Sequence, residues 1–154
     1  MRITLVCVGR LKERYWQEAA AEYLKRLTPY ARVDVLEVPD RDVTADEDRA
    51  LAAEAAAIAR VLPDGAEVVT LDIGGKARSS EALAEWLEEL GTRGRSHVAF
   101  VIGGAAGLHP DVLARADERI SLGPMTLPHQ LARVVLLEQL YRAFRIIRGE
   151  PYHR

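Results

Sequence analysis

The chain is poor in the residues that would brace or anchor it by special chemistry. Only one of its 154 residues is cysteine, so no internal disulfide and no cysteine-based metal cluster can form. Cys7 stands in the apolar run Ile3-Thr4-Leu5-Val6-Cys7-Val8 and reads as a buried core thiol. Long hydrophobic runs are missing as well. Nothing approaches the roughly 20 apolar residues of a membrane span, and the N-terminal apolar stretch is too short for a signal peptide and leads straight into a strand pattern. Nor is there an excess of charge of either sign: 21 Lys and Arg oppose 23 Asp and Glu, a net charge of -2. Attraction of nucleic acid by the whole molecule is thereby excluded, and any such binding has to come from a local basic patch. Repeats, low-complexity tracts and linkers are absent too. The expectation is one cytoplasmic domain over residues 1–154, large enough to bury about 70% of its unfolded surface.

What is present is an alternation of short strands and helices. Residues 2–8, 32–38, 66–72, 97–102 and 119–122 are brief, β-branched and apolar, and end at Gly, Pro or charged residues. Between them, Trp16, Ala20, Tyr23, Leu24 and Leu27 recur at helical spacing until Pro29. An alanine-rich helix reaching Leu62 opens with Thr44-Ala45-Asp46-Glu47, a capping box. A third helix starts at Ser79 or Ser80 and runs to Leu90, with Gly91 as its stop. Pro110 suits the first turn of a short fourth, and the last spans about His129 to Arg148. This is the order of an α/β protein, a mainly parallel sheet flanked by helices.

Open parallel sheets bind ligands beyond the carboxyl ends of their strands. Three loops lie there: Leu71-Asp72-Ile73-Gly74-Gly75, Gly103-Gly104-Ala105-Ala106-Gly107 and Leu122 through Leu127. Neither glycine loop has the spacing of a dinucleotide fingerprint or a P-loop. Each glycine pair read alone is a tight turn; together they suit a nucleotide-like ligand.

The last helix is apolar nearly all round from Leu131 to Leu140. Such a surface needs cover on more than one side, from a subunit interface or from deep burial in the core. Its second half bears Arg142, Arg145 and Arg148, with Glu138 four residues before Arg142, and the chain closes on Pro151-Tyr152-His153-Arg154. These arginines read as a solvated face carrying an ordinary helix pair, or as phosphate contacts beside an aromatic that can stack on unpaired RNA.

The run from Ala99 to Arg154 closely resembles the RlmH family of SPOUT-class methyltransferases. It carries that resemblance in Gly103-Gly104-Ala105-Ala106-Gly107-Leu108, Met125-Thr126-Leu127-Pro128-His129-Gln130-Leu131, Glu138-Gln139-Leu140-Tyr141-Arg142-Ala143 and Pro151-Tyr152-His153. Val8-Gly9 and Val69 through Lys76 extend it more weakly. The resemblance implies a SPOUT fold with a C-terminal trefoil knot, a homodimer, and S-adenosylmethionine as methyl donor to N3 of a pseudouridine in 23S rRNA of the assembled ribosome. It also implies that Leu71, Gly103, Gly104, Leu122, Gly123, Pro124, Met125, Thr126 and Leu127 bind the cofactor, the leucines enclosing adenine and the glycines letting backbone approach. Structural roles for two of these are a turn hydroxyl at Thr126 and core filling at Met125. No metal and no membrane are implied.

Removal of the pseudouridine N3 proton calls for a base or a stabilising cation. His129 follows the cofactor loop and titrates near neutrality, and a place at a helix N-terminus favours its neutral form; capping or packing is its other role. Tyr152 and Arg142 are the further catalytic candidates, and Arg142, His153 and Arg154 the RNA-binding ones. Where many relatives have a polar or acidic residue, this chain has Ala106, so no carboxylate there can act. The competing functions are a non-catalytic ribosome-binding or nucleotide-binding protein on a SPOUT-like fold and a related enzyme acting on tRNA.

Overall fold

Five apolar runs form the strands β1 (Arg2–Val8), β2 (Arg32–Val38), β3 (Glu67–Ala77), β4 (His97–Ile102) and β5 (Glu118–Ser121) of a computed structural model that describes residues 1–152. They make one sheet in the order β2-β1-β4-β3-β5, every pairing parallel. The helices are α1 (Arg14–Leu27), α2 (Glu47–Val61), α3 (Ser80–Thr92), α4 (Pro110–Arg115) and α5 (His129–Ile147). Among the described residues no helix is long and apolar enough to cross a membrane.

Side chains alternate across a strand, and here both faces are covered, as the continuous apolar runs of the central strands require. Ile3, Leu5, Cys7, Val69, Val98, Phe100 and Ile102 share one cluster with Leu27 of α1, Leu83, Leu87 and Leu90 of α3, and Leu136, Leu137 and Leu140 of α5. Val6, Val8, Val68, Ala99 and Val101 point the other way, onto Ile58 of α2, Leu62 just past its end and Val112 of α4. Full burial of an aliphatic side chain contributes about 1.5–3 kcal/mol, so β1, β4 and α5 form the sheet's anchor. Cys7 is buried, and burial pushes its thiol pKa up to about 11.

Three local expectations need correction. The cap of α2 is Asp46, whose carboxylate accepts from Arg49 N at 3.1 Å, whereas Thr44 donates to Asp42. Helix α3 passes through Gly91; Gly94, at φ +78°, is the left-handed residue beyond its end. The third strand does not end at Asp72 but continues to Ala77, with its register on β5 jumping between Leu71 and Lys76. A Cβ at Gly75 would lie 2.7 Å from Ile120 backbone, so Gly75 serves the close passage of two strands.

Candidate active site

The carboxyl ends of β3, β4 and β5 and the first turn of α5 enclose a cavity of about 540 Å³, within the usual range for small-ligand sites. Leu71, Gly103, Gly104, Leu122, Gly123, Met125, Thr126, Leu127 and His129 all line it. Pro124, predicted alongside them, is exposed and does not line the wall.

Each wall has a local cause. In the loop after β4, Gly107 N donates to Gly104 O at 3.1 Å and Gly107 sits at φ +80°. This curls the loop so tightly that a Cβ on Gly103 would lie 2.5 Å from Gly107 O. Its glycine is thus required by the loop itself, a tighter constraint than ligand approach. After β5, Ser121 Oγ accepts from Gly123 N at 3.0 Å, turning the chain at Gly123, whose φ of +119° suits glycine. Ile73, Leu122 and Met125 are exposed on the wall. Met125, 82% exposed, fills no core.

Two residues of this wall escaped sequence reasoning as a pair. Arg119 grips Asp72 bidentately, Nε to Oδ2 at 3.1 Å and Nη2 to Oδ1 at 2.6 Å. Burial raises the Asp72 pKa, but Arg119, Thr70 Oγ1 and Gly74 N outweigh it and hold the carboxyl below its ordinary value. The alternating pattern could have brought the two strands together; nothing local joins residues 47 apart.

His129 is the first residue of α5, and its Nε2 lies 3.7 Å from where a Gly9 Cβ would stand. Burial first and Arg133 second push its pKa below 6.5, against the opposing pull of Asp40, Glu13 and Glu54. Both effects favour the neutral imidazole, the form that can accept a proton.

Arg142 and Tyr152 stand elsewhere. Arg142 lies in the second half of α5, about 20 Å along the helix from His129 at ~1.5 Å per residue, Tyr152 follows the helix end and packs back against that half, and neither lines the cavity. Arg142 pairs with Glu138 at 2.8 Å, as the helix spacing suggested, and lies 4.7 Å from the centre of the Tyr152 ring. Tyr152 donates to Glu138 at 2.9 Å and packs edge-on against Tyr141. Burial and then Glu138 raise the phenol to about 12, so Tyr152 cannot be a base near neutrality but can stack or donate. One chain does not bring this group to His129. His153 and Arg154 lie outside the described residues. No group of three His, Cys, Asp or Glu gathers as a metal would require among the described residues.

Residues 1–153 match the family model described as predicted SPOUT methyltransferase. A Listeria welshimeri protein named ribosomal RNA large subunit methyltransferase H is 52% identical over 159 aligned positions that cover both chains completely. A Listeria monocytogenes protein of the same name is 53% identical with the same coverage. Among solved structures, a probable methylase family protein from Haemophilus influenzae superimposes with a TM-score of 0.57 at 16% identity, over 99% of this chain and 70% of that one. That last likeness supports the fold alone.

Proposed function

The chain belongs to the SPOUT methyltransferase family, and on that premise we propose that it methylates N3 of a pseudouridine in large-subunit ribosomal RNA, on the assembled ribosome in the cytoplasm, with S-adenosylmethionine as donor. The observation that carries this reading is the convergence of three strand-end loops and His129 on one cavity. Leu71, Leu122 and Leu127 offer apolar walls for an adenine, and the glycine-bearing loops let backbone come close. When bound, S-adenosylmethionine supplies an electrophilic methyl group.

This chain's residues supply placement and proton removal. Alignment of acceptor and donor accounts for much of the rate in such a displacement. The N3–H bond breaks and its proton passes to the His129 imidazole; the freed nitrogen lone pair would take the methyl group that a bound donor would supply, the donor's S–CH₃ bond breaking with its electron pair left on sulfur as the neutral thioether S-adenosylhomocysteine. Arg142 and Tyr152 sit too far from their own chain's His129 to share that target, so a second copy delivers them. Leu131, Val134 and Val135, half-buried along α5, are the face that copy covers. Its tail, Tyr152 through Arg154, then meets the RNA around the target base by stacking and phosphate contact. The trefoil knot through the cofactor loops belongs to the same reading.

The test is methyl incorporation from labelled S-adenosylmethionine into purified ribosomes, with the product mapped by mass spectrometry. The reading requires one methyl on a pseudouridine base of large-subunit RNA; a ribose methyl, a tRNA product or no transfer defeats it.

A further inference from the structure

Arg133 is a buried charge that this reaction scheme leaves unused. It lies one helical turn beyond His129 on α5, its side chain only 5% exposed, and it reaches two elements at once. Nη1 donates to Glu37 Oε2 near the end of β2 at 2.7 Å, and Nη2 donates to the Gly9 carbonyl just past β1 at 3.1 Å. Gly9 takes φ +83°, and the position of its absent Cβ is 3.7 Å from both His129 Nε2 and Asp40 Cβ. A side chain at position 9 would be strained by that backbone conformation, its Cβ in ordinary contact with the imidazole.

We propose that Arg133 is a positioning residue for methyl transfer: by tying α5 to Glu37 and to the Gly9 carbonyl, it fixes where the His129 imidazole stands in the cavity wall. The proposal rests on His129 acting as the base. A buried arginine is costly unless its charge is paired and its protons are used, and the planar fork suits two acceptors held at an angle. Lysine, a single ammonium on a flexible stem, cannot hold both in that way. The charge has a second effect on the same imidazole. Arg133 from α5 disfavours protonation of His129, while Asp40 after β2, Glu13 before α1 and Glu54 of α2 favour it, so the guanidinium counters three carboxylates.

The experiment compares Arg133→Met, Arg133→Lys and His129→Gln in the full-length protein. It reads folding by circular dichroism, cofactor affinity by calorimetry, His129 titration by NMR, and the pH profile of kcat on ribosomes. In folded Arg133→Met, kcat falls between tenfold and about a hundredfold, the cost of misplacing a reacting group by about 1 Å, while cofactor affinity stays within about threefold. The His129 titration moves to higher pH, and the acid limb of the rate profile moves with it. Arg133→Lys keeps the charge and restores the titration but only part of the rate. A folded Arg133→Met with wild-type kcat or an unmoved His129 titration overturns the proposal. If that variant does not fold, Glu37→Ala, which removes the acceptor at a side chain 40% exposed, takes its place; a wild-type rate there overturns it equally. Wild-type activity in His129→Gln instead removes the base assignment, a failure distinct from an unmoved titration in Arg133→Met.

Discussion

Replacing Gly103 with alanine adds one methyl group at the most crowded point of the cavity wall. The new Cβ would stand 2.5 Å from Gly107 O, 2.7 Å from Gly107 C and 3.0 Å from Leu108 Cγ. Ordinary contact is at roughly 3.5 Å, so the Gly107 carbonyl must retreat by about 1 Å. That carbonyl belongs to a turn closed by the 3.1 Å bond from Gly107 N to Gly104 O, and cannot move without opening it. Overpacking of this kind costs about 1–3 kcal/mol, which at ~2–4 °C per kcal/mol for a chain of this size lowers Tm by about 2–12 °C. Loss of one well-placed backbone contact to the ligand is worth about 1 kcal/mol, so S-adenosylmethionine binding weakens by roughly fivefold. Gly104→Ala is the control. Its Cβ would meet Val8 Cγ1 at 3.1 Å, a side chain that can give by a few tenths of an ångström, so both effects are smaller. Thermal unfolding and calorimetry on the two variants decide the matter. A Gly103→Ala protein with wild-type Tm and wild-type affinity refutes the reasoning.

Substituting Val135 with aspartate on the half-buried face of α5 should turn a dimer into a monomer and abolish transfer to ribosomes; light scattering that finds the unaltered protein monomeric at micromolar concentration removes the basis for it. Tyr152→Ala, which deletes the ring beneath Arg142, should leave cofactor affinity unchanged and slow ribosome methylation at least tenfold, while Tyr152→Phe keeps the ring and most of the rate; equal rates in all three proteins would make the tail a mere chain end. His129 and His97 both have pKa values lowered by folding, so the unfolded chain binds protons first and stability declines as pH falls through 6.5 and below. Urea melts at pH 7.5 and pH 5.5 should show a smaller acid loss in His129→Gln, and an identical loss would contradict the burial argument.

The strands were legible because burial on both faces leaves continuous apolar runs, and β1 and β4 match the expected bounds residue for residue. The extension of β3 was not, because glycine pairs normally break strands; only the close passage of β5 behind Gly75 explains why these do not. The three cavity loops could be read as strand ends, and their leucines and glycines do meet. Long-range polar pairs could not. Asp72 with Arg119, and Arg133 with Glu37 and Gly9, join residues 47, 96 and 124 positions apart, and no periodicity marks such partners. His129, Arg142 and Tyr152 read together as catalytic candidates, yet the length of α5 separates His129 from the other two within a chain. The apolar circumference of α5 is largely explained by α1, α3 and the sheet, which bury Leu136, Leu137 and Leu140; Leu131, Val134 and Val135 keep the interface argument alive.

The central claim is tested most directly by mass spectrometry of large-subunit rRNA from cells with and without this protein, followed by addition of the purified protein and S-adenosylmethionine to the undermethylated ribosomes. One pseudouridine should lack a base methyl in the deleted cells and regain it in vitro. An identical modification pattern in both strains, or a restored methyl on ribose or on another base, would contradict it.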